Sequence, residues 1–322
     1  MKNEKNAIIF GASGQDGFYL QKYLFSLGYN LICVSRKNVI SQKSEKLNVI
    51  LDNERIKWVK WDYGNSNELE TLITWTSVHE VYYLAGQSSV GLSFKEPCKT
   101  YESFTTPLLI ILELIRSLNP RIRLYNAASS EVFGNTPKTG ATEEFLHQPV
   151  SPYGYAKSAS VGIVKLYRNM YDIYAVNGYL FNHESSLRSD SFFSGRLVTL
   201  ARNIKSKKTT FANLGELGNI RDFGLAREYI IPMHKMLQLT SPEDFVIASG
   251  LGVSLYELAE SIFSRFELNF NDYYIKSEEN IRKYDIYMSI GNPIKAKEKL
   301  DWHSKSSLND VVDELCKKKR RR

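Results

Sequence analysis

Two short segments of the chain place four chemically active side chains close together. SSEVFG contains the hydroxyl of Ser129 and the carboxylate of Glu131, and SPYGYAKS contains the phenol of Tyr153 and the amine of Lys157. On a helix, Tyr153 and Lys157 would share one face, because residues four apart are neighbours there. The four groups could therefore meet in one site and act on one substrate.

A tyrosine next to a lysine can serve as a base. The lysine cation favours the phenolate, as an oxidised nicotinamide would, so Tyr153 could accept a proton well below the pKa of about 10 of free tyrosine. Ser129 ends a predicted strand and could hydrogen-bond the same substrate hydroxyl. Together with Lys157 these residues predict hydride transfer at an alcohol carbon.

Glu131 adds chemistry that alcohol oxidation does not need. A carboxylate beside a newly formed ketone can remove the proton of the adjacent carbon and help a hydroxyl leave as water. Glu131 therefore favours elimination. The alternative is that it only orients Ser129 or caps the loop.

The segment GASGQDG predicts a phosphate-binding loop. It supplies Gly11, Gly14 and Gly17 between a predicted strand and a predicted helix. Glycines let the backbone approach a pyrophosphate, and the amides at the start of the helix bind the anion. The alternative is a structural glycine turn.

The end of the second predicted strand indicates which dinucleotide binds. An acid there would hold the ribose of NAD, but the sequence is VSRKN, with Arg36 and Lys37 and no acid. Two cations suit a 2′-phosphate, so we expect NADP rather than NAD. The alternative is a surface pair of cations. Asp62, after the third strand, is expected at the adenine edge.

The pattern of elements predicts the fold class. Predicted strands, including AIIFGAS, NLICVSR, IKWVKWD, EVYYLAG, RLYNAAS and YAVNGYLFN, alternate with predicted helices over the first 180 residues or so. These helices include SNELETLITW and one over about 103–118. This alternation is typical of an α/β protein with a Rossmann-like, doubly wound parallel sheet and a smaller C-terminal substrate-binding lobe. We predict an NADP-binding domain over 1–182 with a returning segment near 222–250, a discontinuous substrate lobe over 183–316, and a disordered basic tail over 317–322.

Composition restricts the class of protein. The 322 residues carry a net charge of +7, but the six residues of the tail KKKRRR account for all but one of these charges. We therefore expect a solvated tail and no nucleic acid. The alternative is a non-catalytic NADP-binding scaffold whose tail binds an acidic partner. Three cysteines and the lack of a long apolar run favour a cytoplasmic protein without membrane or metal.

Longer segments resemble a known enzyme family. GASGQDG, LAGQSSVGLSF, SSEVFG, SPYGYAK, GYLFNHES, RDFGLAREY, PEDFVIASG and GNPIKAKEKLDW are similar to segments of the GDP-mannose 4,6-dehydratase family, within the extended short-chain dehydrogenase/reductase superfamily. The resemblance runs from Ala7 to about Leu315. It implies C4 oxidation of a GDP-sugar, loss of water across C5 and C6, and hydride return to C6, in a homodimer or homotetramer.

The resemblance also implies binding residues. The glycine loop, Arg36, Asp62, Tyr153 and Lys157 are expected at the cofactor. The resemblance adds Gln15, Asp16, Leu84, Ala85, Gln87, His183 and Arg188. For the substrate it implies Ser88, Asn182, Arg196, Arg221, Arg282 and Asp285. Arginine suits a diphosphate because its planar fork makes paired, charge-assisted hydrogen bonds.

Some positions depart from the family pattern. Ser129 stands where threonine is usual, Ser186–Ser189 (SLRS) replaces Pro-Arg-Arg-Gly, and Gly195 stands where a basic residue is common. The last two changes fall on the expected sugar-diphosphate side. They leave an alternative on the same scaffold: an NAD(P)-dependent GDP-sugar 4-reductase, 4-dehydrogenase or 4-epimerase acting on a hexose or heptose.

Overall fold

The computed structural model describes residues 5–36, 54–62, 66–75, 77–280 and 284–317. The strands are β1 (Asn6–Phe10), β2 (Asn30–Ser35), β3 (Ile56–Lys60), β4 (Glu80–Tyr83), β5 (Arg123–Ser129), β6 (Ala175–Leu180), β7 (Asn182–Glu184), β8 (Ala212–Leu214), β9 (Ile220–Leu225), β10 (Phe245–Ile247), β11 (Gly252–Ser254), β12 (Tyr274–Lys276) and β13 (Met288–Ser289).

The helices are α1 (Gln15–Ser26), α2 (Ser66–Trp75), α3 (Val90–Ser93), α4 (Pro97–Leu118), α5 (Pro152–Tyr171), α6 (Phe193–Lys205), α7 (Ala226–Met236), α8 (Leu255–Ser264), α9 (Ile294–Leu300) and α10 (Leu308–Cys316). Short 3-10 turns lie at Ser130–Val132, Phe270–Asp272 and Glu278–Asn280. No helix in these described segments is long and apolar enough to cross a membrane.

Seven strands form one parallel sheet in the order β10–β6–β5–β4–β1–β2–β3. The chain moves outward from β1 to β3 on one side and from β4 to β6 on the other. The order therefore reverses between β1 and β4, and a crevice opens there at the carboxyl ends of the strands, where such sheets bind ligands. The predicted α/β fold with a doubly wound parallel sheet is confirmed.

Both faces of the sheet are buried, which explains the continuous apolar runs of its strands. Alternate residues of one strand face opposite layers: Ile9 belongs to an apolar cluster with residues of α1, α7 and α9, and Ile8 to a cluster with residues of α2, α4 and α5. The sheet therefore holds the loops at its carboxyl edge on a rigid base.

The C-terminal part builds its own apolar core. Strand β9 pairs with β7, β11 and β13, and β8 pairs with β12. Helices α6, α8 and α10 contribute to this core. Strand β10 returns to the edge of the seven-stranded sheet beside β6, so the C-terminal residues lie next to the carboxyl edge of that sheet.

One predicted boundary was wrong. The helix expected over about 103–118 begins earlier, at Pro97. Proline is favoured in the first turn of a helix, where its missing N–H is not needed. The buried face of α4 also includes Thr100, an uncharged polar residue that interrupts the apolar pattern of the sequence.

Candidate active site

One cavity of about 1230 Å³ lies along the carboxyl edge of the sheet and is bordered on its other side by the C-terminal part of the chain. It brings together most of the predicted site residues. Those that line it are Gly11, Gly14, Gln15, Asp16, Gly17, Arg36, Asp62, Leu84, Ala85, Ser88, Ser129, Glu131, Tyr153, Lys157, Asn182, His183, Arg188, Arg196, Arg221 and Asp285.

The glycine loop has the form of an anion cradle. Gly11 has φ +80°, and a β-carbon there would lie 2.8 Å from the carbonyl carbon of Leu84. A β-carbon on Gly17 would lie 2.5 Å from the oxygen of Gly11. Gly14 caps α1 without a side-chain hydrogen bond, so the first amides of the helix are not covered by a cap. These features fit the pyrophosphate of a dinucleotide.

The far end of the cavity contains the residues expected to select the cofactor. Ser35 ends β2, and its hydroxyl lies 3.0 Å from that of Ser13. Arg36 and Asp62 are exposed and line the cavity. The other predicted cation, Lys37, lies outside the described residues.

Backbone geometry places the hydroxyl, phenol and amine together. Ser129 ends β5, and Tyr153 lies in the first turn of α5, which begins at Pro152. Ser151 caps this helix, because its hydroxyl accepts a 3.0 Å hydrogen bond from the amide of Gly154. Lys157 follows one turn later, and its ammonium donates a 2.7 Å hydrogen bond to the carbonyl oxygen of Ala127. The backbone at the end of β5 therefore holds the Lys157 side chain in place.

Burial sets the proton affinities of this pair. Burial raises the pKa of Tyr153, and the negative charge of Glu131 adds to this effect. A hydrogen bond with the nearby Ser129 hydroxyl lowers the pKa by a smaller amount. Burial lowers the pKa of Lys157 to about 7, against a smaller opposing effect of the Asp16 carboxylate. This environment therefore disfavours both the phenolate of Tyr153 and the ammonium of Lys157. A bound cation that favours the phenolate would reverse this for Tyr153.

Glu131 lies beside this pair. It belongs to the 3-10 turn that follows β5, and its amide donates a 3.3 Å hydrogen bond to the Ser129 hydroxyl. Its side chain lines the cavity. The site can therefore hold a phenol and a carboxylate next to the same substrate.

Asp16 and His183 form an ion pair that sequence reasoning did not foresee. The Nε2 atom of His183 lies 3.0 Å from each oxygen of the Asp16 carboxylate. Burial alone would raise the pKa of Asp16, but the charge and hydrogen bond of His183, together with Arg188, lower it to about 2. The pair connects the phosphate loop to strand β7.

Arg188 extends this connection. Its Nε atom donates a 2.6 Å hydrogen bond to Glu184, and its Nη2 atom bonds the carbonyl oxygen of His183. Gln15 donates to that same carbonyl at 3.0 Å and accepts a 2.7 Å bond from Ser185. Residues expected at the cofactor are thus also bonded to the loop that leads to α6.

The substrate side of the cavity contains a further ion pair. Arg221, on β9, donates a 3.2 Å hydrogen bond to Asp285, which also accepts a 3.3 Å bond from Asn219. Asn219 lines the cavity and was missed, because a single asparagine without a motif gives no signal in sequence. Arg196, on α6, is exposed at the cavity.

One predicted residue, Gln87, does not line the cavity. The Gln87 side chain donates to the Ser89 carbonyl oxygen at 2.9 Å and to the Thr100 hydroxyl at 3.1 Å, and Gln87 is not among the described residues that line the cavity. Arg282 lies outside the described residues. Phe104, which had not been predicted, contacts both Tyr153 and Lys157.

Comparisons with known proteins agree with the motifs. The family profile described as GDP-mannose 4,6 dehydratase matches residues 8–315. The chain is 31% identical to GDP-mannose 4,6 dehydratase of Dictyostelium discoideum, over 98% of this chain and 96% of the relative. It is 34% identical to GDP-mannose 4,6 dehydratase 1 of Arabidopsis thaliana, over 97% and 89%.

Solved structures support the fold. A dTDP-glucose 4,6-dehydratase from Bacillus anthracis in complex with NAD superposes with a TM-score of 0.83 at 21% identity, covering 97% of this chain and 95% of the other. RMD from Pseudomonas aeruginosa complexed with NADPH gives 0.80 at 17% identity, covering 97% of each chain. One fold thus holds either dinucleotide.

Proposed function

The chain belongs to the GDP-mannose 4,6-dehydratase family, and from that premise we propose that it converts GDP-mannose, or a close GDP-sugar, to the 4-keto-6-deoxy sugar. The observation that carries the proposal is Glu131. This carboxylate lines the same cavity as Ser129, Tyr153 and Lys157. Without it the site would be equipped for alcohol oxidation alone.

The four side chains have distinct tasks. Tyr153 takes the proton of the sugar 4-hydroxyl, which Ser129 holds in place, and Lys157 favours the phenolate. A nicotinamide cofactor, which the loop of Gly11, Gly14 and Gly17 would hold, would supply the reversible hydride chemistry that oxidation at C4 and reduction at C6 require. The new ketone acidifies the C5 proton. Glu131 takes that proton and passes it to the oxygen on C6, so the hydroxyl leaves as water. The proton that Tyr153 took from the 4-hydroxyl is available for the final protonation of C5, so the protons of the reaction balance.

We propose NADP as the cofactor. The amides of the loop around Gly11, Gly14 and Gly17 would hold the pyrophosphate. Arg36 supports a 2′-phosphate, because it follows β2 directly and no acid stands at that strand end. On the substrate side, Arg221 and Arg196 are proposed to bind the diphosphate, with Asn182, Ser88 and Asp285 around the sugar and ribose.

We also propose a homo-oligomer in the cytoplasm. Helix α5 carries exposed apolar side chains, Tyr155, Leu166 and Met170, and the neighbouring α4 carries Tyr101 and Leu109. A second copy of the chain would cover these side chains. The three cysteines, free in the structure, suit a reducing compartment.

The direct test is to incubate the purified protein with GDP-mannose and a trace of NADP⁺ and to measure the mass of the nucleotide sugar. A product lighter by one water, formed in many turnovers per cofactor, is expected, because a dehydratase regenerates its cofactor. Net conversion of the cofactor with no loss of water would instead indicate a 4-dehydrogenase or 4-reductase. No reaction with GDP-mannose but loss of water from another GDP-sugar would identify the sugar.

A further inference from the structure

The ring of Phe104 lies against both side chains of the proposed proton-transfer pair. Phe104 is on α4 and is only 2% exposed. The Nζ atom of Lys157 lies 3.9 Å from the centre of its ring, and the ring of Tyr153 packs edge-on against it, with centroids 5.5 Å apart. A cation over an aromatic face is attracted by the ring quadrupole, and the attraction grows when water is excluded.

The Lys157 ammonium makes a single side-chain hydrogen bond in the described part of the chain. An ammonium has three N–H donors, and the hydrogen bond to the Ala127 carbonyl oxygen uses one of them. Lys157 is only 6% exposed, so little of its side chain is open to solvent. The ring face of Phe104 therefore provides much of the favourable environment of this buried cation.

Gly86 keeps the ring in this place. A β-carbon on residue 86 would lie 2.0 Å from the Cε1 atom of Phe104, and Gly86 has φ +132°, which favours glycine. Gly86 lines the cavity just after β4. The ring of Phe104 thus packs directly behind the cavity wall.

We propose that Phe104 is a positioning residue whose ring face keeps the Lys157 amine charged and directed toward Tyr153. The catalytic meaning of this role rests on the proposed function, in which Tyr153 is the base. Because burial lowers the pKa of Lys157 to about 7, a modest change in the ring changes the charged fraction at neutral pH.

Other charges act on the same pair and have to stay constant in a test. The Asp16 carboxylate, from α1, favours the Lys157 ammonium. For Tyr153, the Glu131 and Asp16 carboxylates raise the pKa and Arg188 lowers it. A change confined to the electron density of the Phe104 ring leaves all these charges in place.

Fluorinated phenylalanines at position 104 provide such a change. Replacing Phe104 by its mono-, di- and trifluoro analogues keeps the ring shape and weakens the attraction of its face for a cation. The Lys157 titration is followed by carbon NMR in protein labelled at lysine Cε, with the signal assigned by its absence in Lys157→Met. We expect the pKa of Lys157 to fall stepwise, by about one unit across the series. The same analogues at Phe263, buried in the C-terminal core, are the control and should leave it unchanged.

The outcomes separate this proposal from the proposed function. A Lys157 titration that stays constant across the series would overturn the role of Phe104 and leave it as packing. A stepwise fall supports it, whether or not GDP-mannose reacts, because the NMR readout needs no substrate. If GDP-mannose is dehydrated, the pH profile of kcat/KM should shift in the same direction as the titration. If neither GDP-mannose nor another GDP-sugar is dehydrated, the proposed function fails while the coupling of Phe104 to Lys157 stands.

Discussion

Both ring nitrogens of His183 face hydrogen-bond acceptors, and Asp16 supplies one of them. Nε2 lies 3.0 Å from the Asp16 carboxylate, and Nδ1 lies 2.7 Å from the carbonyl oxygen of Phe181. A carbonyl and an ionised carboxylate can only accept, so each nitrogen has to carry a proton. His183 is therefore an imidazolium, and its pKa is raised although burial alone would lower it.

This pair predicts a pH-dependent stability. The raised pKa of His183 contributes stability that is present below the ordinary value near 6.5 and is lost as the pH rises through the higher folded value. Asp16→Asn removes the partner of the imidazolium and should lower the free energy of unfolding by about 1–3 kcal/mol, more at pH 6 than at pH 9. Urea unfolding at both pH values measures this. The control is Asp62→Asn, because Asp62 is an exposed aspartate of the same cavity, and it should lose no stability at either pH. If Asp16→Asn lost the same stability at both pH values, the assignment of His183 as an imidazolium would be contradicted.

Glu131→Gln should separate oxidation from elimination. The amide cannot take the C5 proton, but Ser129, Tyr153 and Lys157 remain. We expect dehydration to fall by about 10²–10⁴-fold, while one equivalent of reduced cofactor still forms when NADP⁺ is supplied stoichiometrically. Product mass and nicotinamide absorbance measure the two steps. Glu144→Gln, an exposed carboxylate in the loop before α5, is the control. Unimpaired dehydration by Glu131→Gln would show that Glu131 only orients Ser129.

Lys157→Met should stabilise the ligand-free protein while abolishing activity. The depressed pKa of about 7 means that the unfolded chain holds the proton more tightly than the folded chain. The cost of the buried lysine is therefore fully present below pH 7 and shrinks as the pH rises toward the ordinary value of 10.5. We expect a gain of about 1–3 kcal/mol at pH 6 and less at pH 9. Lys165→Met, on the same helix but half exposed, should show no such trend. Destabilisation at pH 6 would contradict the assigned burial cost.

Local patterns in the sequence were enough to predict much of the fold and the centre of the site. Continuous apolar runs identify strands buried on both faces, and the glycine loop marks the switch from β1 to α1. The sequence was enough to place three side chains in one site, because a strand end determines where Ser129 points and one helix face determines where Tyr153 and Lys157 point. Ser66–Trp75 and Arg123–Ser129 were predicted with the bounds that the structure has.

Contacts between distant elements could not be predicted in this way. The Asp16–His183 pair joins residues far apart in the chain, and neither has a local pattern that reports its partner. Phe104 reads as one more apolar residue of a helix, since its contact with Lys157 depends on how α4 packs against α5. For Gln87 the local pattern was misleading. It lies in a family motif, but its side chain stabilises the turn before α3 instead of lining the cavity.

Arg221→Lys should weaken substrate binding more than it affects turnover. A lysine keeps the charge but loses the planar fork that would bond both Asp285 and a diphosphate. We expect KM for GDP-mannose to rise about 10–100-fold, with kcat changed much less. Steady-state kinetics give both values. Arg227→Lys, a half-exposed arginine paired with Glu314 outside the cavity, should leave KM unchanged. A fall in kcat at constant KM would show that Arg221 does not bind the ground-state substrate.

Arg36→Ala should change the preference between the two dinucleotides. If Arg36 binds a 2′-phosphate, its removal weakens NADP⁺ binding by about 10–100-fold, as expected for one charge-assisted contact, and leaves NAD⁺ binding nearly constant. Calorimetric titration of each dinucleotide measures this directly, without turnover. The NADP⁺ affinity should also fall with ionic strength in the wild type and less so in the variant, because one charge pair has been removed. Arg55→Ala, whose guanidinium stacks on Phe25 rather than lining the cavity, is the matched control. An equal loss of NAD⁺ and NADP⁺ binding in Arg36→Ala would indicate that Arg36 supports the adenosine site as a whole, and the preference for NADP would then have to come from another residue.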